Sequence, residues 1–170
     1  MKSSVEFLGH VVSHTGLRKA PSYLAKVQSF PLPLTVRHLQ EFLGLINFQR
    51  KFVKDCSTIQ KCLTALTGGK RSALINWTPE RKEAFEALKV AMMREIELAY
   101  PDYSPEAFPL ELSVDASAVG AGACLAQIQG NQLVPIGFAS MSFSATQQRY
   151  STLERELAAL RWGVKAFKPF

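Results

Sequence analysis

No apolar run in this 170-residue chain approaches the roughly 18 residues that a bilayer-spanning helix needs. Cysteine is scarce as well. Cys56, Cys62 and Cys124 form no CxxC pair and leave an odd count, which argues against a disulfide scaffold and for free thiols in a reducing, intracellular compartment. The opening Met1-Lys2-Ser3-Ser4 carries no cleavage pattern, so no secretory leader is expected. There is no block of like charge, no internal repeat and no low-complexity tract. Patterns of the GxSxG, HExxH, GxxxxGK[ST] or GxGxxG type are also missing, which disfavours serine hydrolase, zincin, P-loop and dinucleotide-binding chemistry.

What is present is a basic, globular composition. Hydrophobic residues make up 47% and charged residues 20%, and the formal net charge is +6. With a mean hydropathy of +0.02 and a pI near 9.4, the chain has the apolar content to build a core and a charge balance suited to a polyanionic partner, nucleic acid first among them.

The composition shifts along the chain. The first part is helical and basic, whereas residues 109–142 are strand-like and nearly free of charge. Val5 to Val12 is rich in β formers, contains Gly9 and precedes His14-Thr15-Gly16, the pattern of a hairpin turning at the latter. Pro21 suits the first turn of a short helix running to about Ser29, stopped by Pro31 and Pro33. Thr35 is an N-cap for a helix predicted to end near Lys54, with Leu39, Phe42, Leu43, Ile46 and Val53 on its buried face. Arg37, Arg50, Lys51 and Lys54 are left for other faces and form the expected phosphate footprint. A further helix is predicted over 58–66, closed by Gly68-Gly69, and Thr78-Pro79-Glu80 is a strong start for the next one. Strands follow at 110–116, 121–127 and 133–140, the last two joined through Gly130-Asn131. A final helix from about Thr146 to Lys168 carries the stripe Leu153, Leu157, Leu160, Val164 and Phe167, which predicts that this side is buried. The fold class is thus α+β: a helical region, then a three-stranded antiparallel meander carrying a helix.

Asp115 stands out because it interrupts an apolar strand, where a buried carboxylate costs several kcal/mol, of order 1–5, unless it meets a metal, a charge or donors. It can equally be a strand-end carboxylate that caps its own turn through Ser117. On the last helix, Glu156 lies about 60° from the apolar stripe and Glu154 about 100° to the other side. Glu156 is then placed to meet Asp115, or is an ordinary boundary residue, while Glu154 points to solvent or pairs locally. Two carboxylates converging from a strand and a helix suit magnesium or manganese, although two-metal hydrolysis needs more than two and no third is evident. His10 and His14 do not converge on a zinc ion at their spacing.

Several segments, in order, resemble the Pol polyprotein of gypsy-type (Metaviridae-like) LTR retrotransposons. Phe7-Leu8-Gly9-His10 with Gly16-Leu17 resembles the primer-grip hairpin ending the polymerase palm. Phe42-Leu43-Gly44-Leu45-Ile46-Asn47-Phe48 followed by Arg50-Lys51-Phe52 resembles the thumb helix, with Gln49 where the family has a second tyrosine. Trp77-Thr78 through Ala84-Phe85 and Leu88-Lys89 resembles the connecting helix, with Pro101-Asp102 at its exit. Asp115-Ala116-Ser117 with Gly120 and Gly122 resembles the first ribonuclease H strand, and Tyr150 with Glu154-Arg155-Glu156-Leu157-Ala158-Ala159-Leu160 its first helix.

The resemblance implies two regions: residues 1–104 as the palm end, thumb and connection, and residues 105–170 as the start of a ribonuclease-H-like domain. It implies that Leu8, Gly9 and His10 belong with Arg37, Arg50, Lys51 and Lys54 in holding an RNA–DNA hybrid or template–primer. It implies that Asp115 and Glu156 are catalytic metal ligands for Mg2+ or Mn2+, weakly held. The polymerase aspartates would lie before Met1 and a third nuclease carboxylate after Phe170, in the rest of the Pol polyprotein, so neither active site is expected to be complete in this chain. Three readings follow: a part of an RNA-directed DNA polymerase and ribonuclease H, a host-adopted remnant that binds nucleic acid or protein without catalysis, or an interaction module whose carboxylates are vestigial. No membrane partner is expected.

Overall fold

The computed structural model describes residues 3–170. Two sheets and two cores organise them. The first sheet is an antiparallel ladder of β1 (Ser4–Phe7), β2 (His10–Ser13), β3 (Gly16–Lys19) and the short β4 (Leu98–Ala99), in that spatial order. The expected hairpin is thus a three-stranded meander, and a turn falls at Leu8-Gly9 as well as after Ser13. Leu8 and Gly9 both have positive φ (47° and 74°), the mark of a two-residue primed turn. A leucine there is outside the usual turn chemistry, which is why the sequence reads as one strand through Gly9.

Four α-helices pack beside this sheet: α1 (Pro21–Gln28), α2 (Val36–Phe48), α3 (Cys56–Thr64) and α4 (Pro79–Met93). Thr35 caps α2 by accepting from the His38 amide, and Thr78 caps α4 by accepting from the Arg81 amide, both as expected. α2 stops earlier than its pattern suggests: it ends at Phe48, and a 3-10 turn over Arg50–Phe52 re-aims the chain, so Val53 is buried from outside the helix. Leu39, Phe42, Leu43 and Ile46 from α2 meet Tyr23, Val27, Leu63, Phe85, Leu88 and Met92 in the first core.

The second sheet is β5 (Leu110–Ala116), β6 (Gly120–Gln129) and β7 (Gln132–Ser142), an antiparallel meander with β6 in the middle. Gly130 and Asn131, at φ 56° and 66°, make the tight turn the sequence signals. Pro135 lies beside the register shift at Leu125/Ala126, on an edge strand where its missing N–H is tolerated.

The last helix, α5 (Thr152–Ala166), begins with a complete capping box between Ser151 and Glu154. Its packing overturns the sequence expectation. Leu153, Leu157, Leu160 and Val164 are 69, 58, 50 and 57% exposed, and the buried positions are Ala159 and Gly163. The small side chains let the helix settle so closely on the sheet that a Cβ at Gly163 would meet Val114 Cγ2 at 3.0 Å. No helix among the described residues is long and apolar enough to cross a membrane.

Candidate functional site

The Leu8-Gly9 turn is held rigidly against the end of α2. The Gly9 carbonyl accepts from the Ala20 amide (2.9 Å) and from Gln49 Nε2 (2.9 Å). Gln49 is wholly buried, so the residue that departs from the family pattern acts as a clamp on the turn. His10 Nδ1 pairs with the Leu8 carbonyl (3.0 Å), and its ring lies 5.6 Å from Phe48 and 5.9 Å from Phe52. Burial, then the neighbouring Lys51, hold the His10 pKa below its ordinary value, with the Leu8 carbonyl opposing them. Around it Phe7, Leu8 and Phe48 are 64, 69 and 55% exposed.

The expected cationic footprint does not hold together as one patch. Lys51 is half-buried, with its ammonium over the Phe52 ring (5.6 Å), beside the turn. Lys54 is exposed. Arg37 sits at the opposite end of α2, about 20 Å away for thirteen helical residues, and is paired with Glu41 at 3.1 Å. Arg50 turns inward, donating from Nη2 to Ser57 Oγ (3.1 Å) and to the Ser140 carbonyl.

Asp115 is exposed on β5 and Glu156 half-buried on α5. Alternation puts Leu112 and Val114 on the face that α5 covers, because both lie against Gly163. Asp115 therefore leaves from the other face, while Glu156 is carried by the helix that covers the first. The turn after β5 is closed by Ser117, whose hydroxyl accepts from the Val119 and Gly120 amides and donates to the Gly120 carbonyl. Glu154 is spent on capping: its carboxylate accepts from the Ser151 amide and hydroxyl at 2.8 Å each, and those bonds hold its pKa below the usual carboxylate value. Among the described residues no group of three His, Cys, Asp or Glu converges in a way that would hold a metal.

Two features were invisible to sequence reasoning. Gln127 on β6 is buried and pins the loop before β5: its Nε2 donates to the Asp102 and Phe108 carbonyls at 2.7 Å each, and its Oε1 accepts from the Asp102 amide at 2.8 Å. Ser57 and Ser140 are buried partners 83 positions apart. A serine or glutamine in a strand or helix carries no local signal of such a distant partner.

A meander with a helix on one face, reached through a helical region, is an RNase H-like arrangement. A family model described as the RNase H-like domain found in reverse transcriptase matches residues 77–170, and the chain belongs to that family. Over nearly its whole length it is similar to Pol polyproteins of gypsy-type retrotransposons. It is 32% identical to the retrovirus-related Pol polyprotein from transposon gypsy of Drosophila melanogaster over 99% of this chain, and 33% identical to that from transposon 297 over 100% of it. The chain spans 17% and 15% of the length of those two relatives. Among solved structures it is similar to the foamy viral protease-reverse transcriptase in complex with RNA/DNA hybrid (28% identity, TM-score 0.82, 97% of this chain and 22% of that one). The same foamy viral protein in complex with dsDNA gives 29% identity and a TM-score of 0.85 over 99% of this chain and 35% of that one.

Proposed function

We propose that this chain is the part of a retrotransposon reverse transcriptase that grips an RNA–DNA template–primer and presents an RNase H-like unit beside it. The supporting observation is the Leu8-Gly9 turn clamped by Gln49 onto the end of α2, with exposed apolar side chains and Lys51 around it. The apolar tip suits sugar and base surfaces, and Lys51 with Lys54 suits phosphate. That the foamy viral relatives bind such duplexes supports the same reading.

In the RNase H-like unit, Asp115 and Glu156 are the residues we assign to a magnesium or manganese ion. Their oxygen chemistry fits, but two carboxylates do not make a full coordination set, and among the described residues no group of three His, Cys, Asp or Glu converges to hold a metal. No hydrolytic step is therefore derived from them. Asp115 and Glu156 are placed to bias an ion toward the β5 edge and to await further ligands.

Fluorescence anisotropy with a labelled RNA–DNA hybrid tests the proposal. Affinity should fall with salt, and Lys51→Gln and Lys54→Gln should each flatten the slope of log K against log salt by about 0.9, one phosphate's worth. A wild-type chain whose binding is indifferent to salt would sink the assignment. Salt-dependent binding with no cleavage, even beside the remaining Pol segments, would instead identify a non-catalytic binding module.

A further inference from the structure

The seam between the first core and the second sheet is polar, buried and aligned with Asp115. In register, Asp115 on β5 stands opposite Gly122 on β6, and Gly122 stands opposite Ser140 on β7. These three positions form one row on one face. The start of α3 lies on that row. Asp55, in the left-handed region at φ 54°, places its carboxylate where a Cβ on Gly122 would go, so a side chain there would displace the carboxylate. Two residues later, the Ser57 amide donates to Ser140 Oγ (2.9 Å), and Ser57 Oγ donates to the Ser140 carbonyl (2.9 Å). Arg50 adds donations to both Ser57 Oγ and that carbonyl. Ser57 and Ser140 are 6 and 3% exposed, which removes water as a substitute partner.

We infer that Arg50, Ser57 and Ser140 form a latch that fixes the gripping end of the first region at a set distance from the Asp115 row, and that Arg50 is a positioning residue instead of a phosphate contact. Arg50 and Lys51 are consecutive on a 3-10 turn, where neighbouring side chains point about 120° apart. One is thereby committed to the seam while the other remains at the turn. A guanidinium suits the role because its fixed fork can serve several acceptors at once. The latch ties the place where a duplex is held to the place where a carboxylate is offered.

Two measurements on the full chain test this, and only the second rests on the proposed function. Spin labels at Lys26→Cys and Asn131→Cys, in a background with Cys56, Cys62 and Cys124 replaced by alanine, report the spacing of the two regions. One narrow distance is expected, broadened by Arg50→Gln or Ser57→Ala, which removes the hydroxyl that accepts from Arg50 and donates to the Ser140 carbonyl, and only partly restored by Arg50→Lys. Equal widths in all variants would overturn the latch, and Ser57→Ala decides should Arg50→Gln fail to fold. In hybrid binding, Arg50→Gln should leave the salt slope unchanged. A drop of about 0.9 would make Arg50 a phosphate contact and overturn its positioning role. If the wild-type chain binds no hybrid, the proposed function falls and the distances alone judge the latch.

Discussion

Gln127 shows how much a single buried amide can carry. Gln127 is 1% exposed, and replacing it with leucine would remove its bonds to the Asp102 amide and to the Asp102 and Phe108 carbonyls. Such a loss costs about 1 kcal/mol or more, since Asp102 and Phe108 are exposed and water replaces part of what the amide supplied. Urea denaturation of Gln127→Leu should show it, and a change under half a kcal/mol would mean that the loop before β5 is not pinned as described. Lys19 offers a pH test. Its amine is buried, donates to the Arg94 carbonyl at 2.9 Å, and is pulled by burial from 10.5 to about 8. Between those values the unfolded chain holds a proton that the folded chain has released, so stability rises with pH across that window. Relative to Lys19→Met, the wild type should gain thermal stability from pH 8 to 10.5. A gap that stays constant would show that the buried amine keeps its charge.

Elements were legible where local chemistry decides them. β5 runs over 110–116 as its pattern indicates, and the Thr78-Pro79 start of α4 is where capping chemistry places it. α5 was read backwards, and the reason is physical. A step of four, three, four and three residues announces an apolar side, but not what covers it. Here the sheet accepts the side of smallest residues, because Ala159 and Gly163 permit the closest approach to Leu112 and Val114. Glu156 is half-buried, since it flanks that small-residue side as well as the leucine stripe. The corrected facing makes a sharp contrast. Leu157→Gln should change stability by about half a kcal/mol or less, as an exposed substitution does. Gly163→Leu should cost about 1–3 kcal/mol or more by forcing α5 off the sheet. Calorimetry of the two variants would reject this packing if the order were reversed.

At the scale of the whole molecule, the candidate site is divided between two regions, and that division explains what sequence could and could not say. Local pattern located α2 and the Asp115 strand, but not the Leu8-Gly9 turn, whose leucine at positive φ carries no turn signal. It could not tell that Arg50 belongs to a seam, since Ser140 lies 90 positions away. Nor could it tell which side of α5 is packed, on which the placement of Glu156 depends. The metal prediction follows from this arrangement. Magnesium keeps its waters and needs several anionic oxygens in near-octahedral array, which two carboxylates at the rim of a sheet do not supply. Binding to this chain should therefore be weak, with manganese favoured over magnesium by its greater affinity for such ligands. Manganese titration followed by electron paramagnetic resonance would measure it directly, free of any need for turnover. Asp115→Asn and Glu156→Gln should each weaken what binding there is, and the double variant should abolish it. Manganese bound equally well by the double variant would remove both residues from the metal assignment. Tight binding lost only with Asp115→Asn would instead place the ion on the α3 side of the sheet, where Asp55 already stands over Gly122.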